Sequence, residues 1–438
     1  MNTDRDDAPG VAPLFAGDRP DRRHWTLAIS AGMASYLDSA IIVGLGVGLA
    51  VLQEHFGMTT WGVGALSAAL TLSIAAGAFV GGRVADLVGR MRAFTFYILL
   101  YAVGMAVMAA AVDQTMLFVG IVVAGLAAGA DLPTSVAVVS ERSPQGAQGR
   151  LVSTTQVMWF LGIAATQLLG FAFSGLGITG IRIIFAQLVV VAIATWAVRR
   201  FSPALHSLEA EVVTRRGGDE TARPALPLRT IMTSRAMLVP IVLTGVYYVF
   251  WGMMANTFGQ FGTYFLITVG GAGQTLATGL NVALIPVGLL FTLLFVRIVD
   301  TKWRNPVFVV GGLVQAGAMA VAGVGNGVLL VYVLALVIYN IGANVAGEAN
   351  YKVWTQESLP IGARATAQGF TYAVGRFVFA GFALVTPSML AASPNLLLWL
   401  LVAFALVATA VGWATARHLA ARGIVPGGTG RTAAPLAS

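Results

Sequence analysis

The sequence contains no cysteine and few charged residues, and both absences narrow its possible functions. Without cysteine in 438 residues, disulfide frameworks, thiol catalysis and cysteine metal sites are excluded. Charged residues make up 10% of the chain, whereas soluble domains carry roughly 25%. The four histidines, His24, His55, His206 and His418, fall at the ends of apolar segments or in loops. We therefore expect no metal site, no cofactor and no acid–base chemistry from a histidine cluster.

Long apolar runs dominate the chain instead. Hydrophobic residues form 57% of it, and the mean hydropathy is +0.82. Runs of about 20 apolar residues match the length of a helix that crosses a bilayer core. They are too uniformly apolar for the alternating strands of a membrane barrel. We predict twelve spans, at about residues 25–50, 60–84, 93–112, 116–140, 150–175, 179–200, 236–267, 272–299, 306–325, 327–352, 365–391 and 394–417.

Basic residues fall in every second connection between these spans. They precede the first span and follow the second, fourth, sixth, eighth, tenth and twelfth, with Arg182 as the exception. This alternation follows the positive-inside rule and places both termini in the cytoplasm. It also explains the net charge of +8 without a nucleic-acid partner. The first 25 residues lack the pattern of a cleaved signal, so we interpret them as a cytoplasmic tail.

The two halves of the chain repeat each other. "GRVADLVGRMR" follows the second span and "RIVDTKWR" the eighth, while "SERSPQGAQGR" follows the fourth and "QESLPIGAR" the tenth. Such a duplication is typical of transporters with a site at the interface near the midplane. We predict an all-α integral membrane protein with twelve transmembrane helices in two pseudo-symmetric six-helix bundles. The expected parts are an N-terminal tail (1–24), a first bundle (25–200), a cytoplasmic linker with a short amphipathic helix near 208–213 (201–235), a second bundle (236–417) and a C-terminal tail (418–438).

Four short motifs resemble one family of transporters. The sequence Gly82-x-x-x-Asp86-x-x-Gly89-Arg90 resembles the loop 2–3 signature of the major facilitator superfamily, although Leu87 and Met91 stand where basic residues are usual. The sequence from Glu357 to Arg364 resembles the sugar-porter signature after the tenth span. "YLDSAIIVG" resembles the aspartate motif of sugar, acid and phosphate symporters. "GADLP" resembles the inositol- and metabolite-transporter branch. The sugar-porter "PETKG"-type ending is absent.

This resemblance implies a gate on the cytoplasmic side. Acids and bases in the duplicated loops would form ion-pair networks that close when the inward gate shuts. The other interpretation is a solvated positive-inside surface. The gating candidates are Asp86, Arg90 and Glu141, with Arg142 beside them, and in the second half Asp300, Arg304, Glu357 and Arg364.

Ionisable residues within the spans are few, and such residues are costly to insert, by about 2.5–3.5 kcal/mol each on insertion scales. Asp38, near the middle of the first span, is expected either to carry a proton or to be a structural acid. Asp131, beside Pro133, would be a second proton or substrate site or a hydrogen-bonded anchor for Arg376. Arg376 itself would bind an anionic substrate or pair with a buried acid. Glu348 is expected near the cytoplasmic end of the tenth span, where it would either extend towards the membrane surface or pair with Lys352.

Neutral polar residues recur at helical spacing in four spans. Amides and aromatic rings suit a polyhydroxylated ligand, and the resemblance implies sugar-binding glutamines at Gln156 and Gln260. The other interpretation is polar packing between helices, at about 0.6 kcal/mol per bond. The substrate-binding candidates are Gln156, Gln167, Asn256, Gln260, Tyr264, Asn340, Asn344, Tyr372 and Arg376.

Together these features predict a secondary transporter rather than an enzyme, since the sequence offers neither a cluster of catalytic groups nor a phosphate-binding loop. We expect proton-coupled uptake of a small polyol or sugar by alternating access, in the plasma membrane. The expected partners are a small-molecule substrate, protons and the lipid bilayer, with the protein as a monomer. The alternatives are a symporter of a small organic anion and a drug exporter.

Overall fold

The computed structural model describes residues 19–144, 147–216, 231, 233–299, 301–325, 328–424 and 426, and in this part it is all-helical. Twelve helical segments there are long and apolar enough to cross a membrane, so the predicted fold class is confirmed. The helices are α1 (Arg22–Phe56), α2 (Thr60–Val88), α3 (Arg90–Ala109), α4 (Gln114–Arg142), α5 (Gln148–Ala172), α6 (Ile178–Phe201), α7 (Pro203–Arg216), α8 (Arg235–Thr268), α9 (Gln274–Ile298), α10 (Arg304–Val324), α11 (Leu329–Val345), α12 (Glu348–Ser358), α13 (Ile361–Ala392) and α14 (Pro394–Ala421).

Local sequence signals set where the first helix begins and ends. The Asp21 side chain caps α1 by accepting from the backbone of Arg23 and His24. Partial burial opposes ionisation of Asp21, but hydrogen bonds from Arg23 and His24 outweigh it and lower the pKa of Asp21 to about 2. At the other end, Gly57 adopts a left-handed conformation with φ 62°, which glycine accommodates without steric cost. The predicted start and end of this span are therefore extended by several residues on both sides.

Each half forms its own bundle. In the first half, α1 packs against α5, α2 against α4, and α3 against α4 and α6. In the second half, α10 packs against α11 and α14, and α8 against α13 and α14. Glycines allow the closest approaches: a Cβ at Gly129 would lie 2.0 Å from the Ile74 carbonyl oxygen. The small residues before Pro133 therefore serve close contact between α4 and α2.

The two halves meet through α1 with α8, α2 with α13, and α5 with α9. Several of their polar contacts lie at the end of the bundle opposite the chain termini, here called the far end. The Tyr264 hydroxyl donates to Gln53 Oε1 (2.8 Å), and Gln274 Nε2 donates to the Val47 carbonyl (2.8 Å). Ser174 and Thr275 hydroxyls are 2.8 Å apart. This conformation is closed at the far end.

The linker helix α7 is attached to the first half. Arg142, at the end of α4, donates to both carboxylate oxygens of Glu209, at 2.7 and 3.0 Å. Arg23 makes a 2.9 Å ion pair with Glu211. Leu205 and Leu208 are buried with apolar residues of the first bundle. The helix is thus longer than the segment near 208–213 that the sequence predicted, because both its charged and apolar faces find partners.

The tenth span, predicted at about 327–352, is present as Leu329–Ser358, but it is not one continuous helix. α11 ends at Val345 and α12 begins at Glu348, with Ala346 and Gly347 in non-helical conformations. The carbonyl oxygens released by the break accept hydrogen bonds from neighbouring side chains. Tyr247 donates to Ala346 and Gly347 at 3.0 Å each, and Asn350 donates to Val345 at 2.9 Å. A break at membrane depth is tolerated because its backbone groups are satisfied in this way.

Candidate functional site

An ion pair joins the two halves near the middle of the bundle. Arg376 Nη2 on α13 lies 3.8 Å from Asp38 Oδ2 on α1. Asp38 is 2% exposed, and its Oδ1 accepts no hydrogen bond from any described residue. The structure thus gives Arg376 a buried acid as partner, as one of the two sequence interpretations expected. A change in the charge of Asp38 would act directly on a contact between the halves.

Asp131 has a different partner from the one expected. Its Oδ1 accepts from Arg199 Nη1 at 2.7 Å, and both side chains are almost fully buried. Arg199 also donates to the backbone carbonyls of Phe94 and Ser30, and its guanidinium lies 3.6 Å from the centre of the Phe94 ring. The expectation of an Asp131–Arg376 contact was wrong. Asp131 and Arg199 instead connect α1, α3, α4 and α6 within the first half.

Arg199 was missed by the sequence interpretation because it lies beside Arg200 at the end of a span. There it was counted with the basic residues of the following loop. Two features could have identified it: its position within the predicted span 179–200, and the presence of a buried acid in the same half that needs a counter-charge. An arginine at a helix end can turn inward when a carboxylate lies within its reach.

Glu348 occupies the first position of α12, directly after the break. It was expected near the cytoplasmic end of the tenth span, but the span continues to Ser358, so Glu348 lies inside it at the start of its second helical segment. The Tyr372 hydroxyl donates to Glu348 Oε1, and Lys352 Nζ lies 3.4 Å from the same oxygen. The predicted pairing of Glu348 with Lys352 at i+4 is therefore present.

Lys352 connects this group back to the first half. Its Nζ donates to Gln156 Oε1 on α5 at 3.0 Å. Contacts between polar side chains therefore connect α1 to α13, α13 to α12, and α12 to α5. The series returns to its start because α5 packs against α1. This set is here called the polar ring. Its members are Asp38, Arg376, Tyr372, Glu348, Lys352 and Gln156.

Further candidates lie beside the polar ring on α8. Gln260 Nε2 donates to Thr71 Oγ1 of the first half at 3.0 Å and to Asn256 Oδ1 at 2.9 Å. Gln260 Oε1 is buried and accepts no hydrogen bond from the described residues. Tyr264, four residues further along, belongs to the closed far end. The structure therefore brings Asn256 and Gln260 to the contact between the halves, with an acceptor atom unoccupied.

The remaining amide candidates are placed less centrally. Asn344 Oδ1 accepts from Thr292 of α9 at 2.7 Å, and its amide donates to the Asn340 carbonyl. Asn340 donates to the Leu336 carbonyl at 2.9 Å. Both asparagines thus make contacts within the second half. Gln167 on α5 is half-buried, and its Oε1 accepts no hydrogen bond from a described residue.

Aromatic rings surround the second-half part of the polar ring. The Tyr248 ring centre lies 4.7 Å from those of Tyr351 and Tyr372 and 5.6 Å from that of Phe379. Rings in tilted and edge-on arrangements pack favourably. This cluster holds the α12 half-helix against α8 and α13, and it presents Tyr372 to Glu348.

The duplicated loops are described only in part. Arg304 donates to both carboxylate oxygens of Glu357, at 2.7 and 2.9 Å, and so ties the start of α10 to the end of α12. Arg90 is half-buried at the first position of α3. Asp300 and the side chains of Asp86, Glu141 and Arg364 lie outside the described residues. Among the described residues, no three acids or histidines are grouped as a metal site would require.

Comparisons with known proteins agree with this architecture. A sequence model described as Major Facilitator Superfamily matches residues 27–381. The minor myo-inositol transporter IolF of Bacillus subtilis (strain 168) is 31% identical over 380 residues, which cover 83% of each chain. The galactose-proton symporter of Escherichia coli (strain K12) is 27% identical over 324 residues, or 68% of each chain. A crystal structure of a D-xylose-proton symporter superposes with a TM-score of 0.73 at 17% identity, covering 89% of this chain and 97% of that chain.

Proposed function

The chain belongs to the major facilitator superfamily, and from this premise we propose that it imports a small polyol of the inositol type together with protons. It is a multi-pass membrane protein and a transporter of small molecules rather than an enzyme. The observation that carries the proposal is the Asp38–Arg376 pair, which joins the two halves across a buried interface.

Proton coupling follows from the position of this pair. Protonation of Asp38 removes its charge and with it the attraction that holds Arg376 from the opposite half. Loss of that attraction leaves the Arg376 guanidinium without the counter-charge that it has in the present conformation. A proton on Asp38 therefore changes the relative stability of conformations in which the halves do or do not approach here. This is the thermodynamic requirement for driving substrate movement with a proton gradient.

The chemistry around the pair favours a polyhydroxylated substrate. Gln156, Gln167, Asn256 and Gln260 offer amide groups that both donate and accept hydrogen bonds. The Tyr372 ring offers an aromatic surface for C–H groups. Gln260 Oε1 and Gln167 Oε1 lack partners among the described residues and would accept from substrate hydroxyls. The similarity to a myo-inositol transporter over most of the chain supports this substrate class.

The closed far end corresponds to one conformation of the alternating-access cycle. We place the termini in the cytoplasm of a cell with this protein in its inner (plasma) membrane, since the basic residues lie at the terminal end. The far end then faces the outside, and the present conformation is closed to the outside. The Arg304–Glu357 pair would be part of the gate on the cytoplasmic side. We expect a monomer to perform the full cycle.

Uptake into vesicles tests the proposal. Purified protein in liposomes is given labelled myo-inositol, xylose and a small carboxylate, each with and without an inward proton gradient. Accumulation of myo-inositol or the sugar above equilibrium only when the gradient is present supports it. Empty liposomes and liposomes treated with a proton ionophore are the controls. Equal equilibration with and without the gradient would refute the coupling.

A small organic anion is the second candidate, because two cations of the polar ring are accessible. The side chains of Arg376 and Lys352 keep 19% and 38% exposure. A carboxylate could therefore bind to either without displacing a fully buried group. Competition separates the two candidates, since inhibition of uptake by carboxylates but not by polyols would favour the anion.

A further inference from the structure

Negative and positive side chains alternate around the polar ring. Asp38 and Glu348 are the two acids, and Arg376 and Lys352 are the two bases. Tyrosine side chains also lie near the acids: Tyr101 and Tyr248 near Asp38, and Tyr247, Tyr248, Tyr351 and Tyr372 near Glu348. Tyrosine ordinarily titrates near pH 10, so these hydroxyls are neutral at physiological pH. The ring is therefore neutral with Asp38 ionised, and it carries one positive charge when Asp38 is protonated.

We infer that Glu348 competes with Asp38 for Arg376, so that Glu348 is a second coupling residue and acts by positioning Arg376. Tyr372 and Arg376 are four residues apart and lie on the same side of α13. Because Tyr372 donates to Glu348, Arg376 is held one helical turn from the Glu348 carboxylate. When Asp38 is protonated, Glu348 is the acid of the polar ring that remains ionised near Arg376. This inference rests on the proposed proton-coupled transport.

A change of partner by Arg376 would also affect the contact that Lys352 makes with the first half. In the present conformation, Lys352 lies between Glu348 and Gln156. If Arg376 pairs with Glu348, the attraction of Glu348 for Lys352 weakens, and Lys352 is free to leave Gln156 or to bind a substrate oxygen. Glu348 is suited to this role because it starts a half-helix of eleven residues after a break. A half-helix can turn at Ala346–Gly347 without disrupting α11.

The competition predicts opposite changes in the pH at which Asp38 is protonated for two variants that replace a charged side chain with an uncharged one. Glu348→Gln removes the competitor, so Arg376 stays with Asp38 and protonation of Asp38 requires a lower pH. Lys352→Gln removes the charge that neutralises Glu348, so Glu348 attracts Arg376 more strongly and Asp38 is protonated at a higher pH. A charge within about 4–6 Å typically changes such a midpoint by about one pH unit or more.

The experiment measures two pH midpoints for each variant. One is the pH at which the initial rate of labelled myo-inositol uptake into liposomes is half-maximal. The other is the midpoint in the pH dependence of the thermal unfolding temperature of purified protein without substrate. Expected results are a shift of about one pH unit to lower pH for Glu348→Gln and to higher pH for Lys352→Gln. Glu54→Gln removes a charge of the same sign at an exposed site about 24 Å from Asp38 along α1 and should leave both midpoints unchanged, while Lys352→Arg keeps the positive charge beside Glu348 and should show no upward shift.

Shifts of Glu348→Gln and Lys352→Gln in the same direction, or no shift, would overturn the inference. So would a wild-type unfolding temperature without a midpoint between about pH 4 and about pH 9. If Glu348→Gln does not fold, the upward shift of Lys352→Gln and its absence in Lys352→Arg decide the question. If myo-inositol is not transported, the proposed function fails, while the unfolding midpoints still test the competition.

Discussion

Arg199 donates to Asp131 at 2.7 Å in a region where both side chains are almost fully buried, within the first half rather than between the halves. Arg199 reaches α3 and α1 through the carbonyls of Phe94 and Ser30. The pair therefore fixes four helices of one bundle relative to each other. This arrangement favours a structural role for Asp131 over the proton or substrate role that the sequence also allowed.

The first prediction follows from that burial. Asp131→Asn leaves the Arg199 charge buried without a counter-charge and should lower the free energy of unfolding by about 3–5 kcal/mol. The measurement is thermal unfolding of the protein in detergent. Replacing both residues, as Asp131→Asn with Arg199→Met, should recover a large part of the loss. If the single variant were as stable as the wild type and lost only proton coupling, Asp131 would have the coupling role instead.

Asp38→Asn tests the contact between the halves. An amide of the same shape cannot gain or lose the proton, so gradient-driven accumulation of substrate should be abolished. Exchange of labelled for unlabelled substrate needs no net proton movement and should continue. Counterflow and accumulation in the same liposome preparation provide the comparison. Loss of both activities in a normally folded variant would mean that Asp38 is needed for binding or structure rather than coupling.

Gly64→Ala tests whether the far end must close during the cycle. A Cβ at Gly64 would lie 2.1 Å from the Leu384 carbonyl oxygen of α13, so α2 and α13 could not reach their present distance. Overpacking of this kind costs about 1–3 kcal/mol, which should slow uptake by roughly ten-fold or more. Gly62→Ala is a matched control on the same helix, because its nearest neighbour would be 3.5 Å away. Equal uptake rates for the two variants would show that the far end tolerates the extra atom.

Tyr247→Phe tests how the break between α11 and α12 is stabilised. The Tyr247 hydroxyl is shared by the carbonyls of Ala346 and Gly347. Its removal leaves a buried acceptor unsatisfied and should lower the free energy of unfolding by about 1–3 kcal/mol. Tyr332→Phe provides the control, since the Tyr332 ring is stacked on Phe265 and its hydroxyl donates to no described residue. Equal unfolding temperatures for the two variants would contradict this account of the break.

The twelve spans could be predicted because each rests on a local property, a run of apolar residues long enough to cross a bilayer. The break at Ala346–Gly347 could not, since a single glycine inside a helical pattern does not by itself end the helix. What allows the interruption is the presence of Tyr247, Gln315 and Asn350 beside the released carbonyls. Those donors come from α8, α10 and α12, and their proximity depends on packing that no local pattern encodes.

For the buried charges too, the sequence identifies the residues and the packing of the helices decides their partners. Hydropathy identified Asp38, Asp131 and Arg376 as charges that require an explanation within a membrane, because each interrupts an apolar run. Which acid each arginine contacts depends on how α1, α4, α6 and α13 are arranged. The sequence alone therefore determined the membrane class, the duplication and the residues whose burial is costly. Only the tertiary structure decided that Arg199 pairs with Asp131 and Arg376 with Asp38, because pairing depends on distance across helices rather than on order along the chain.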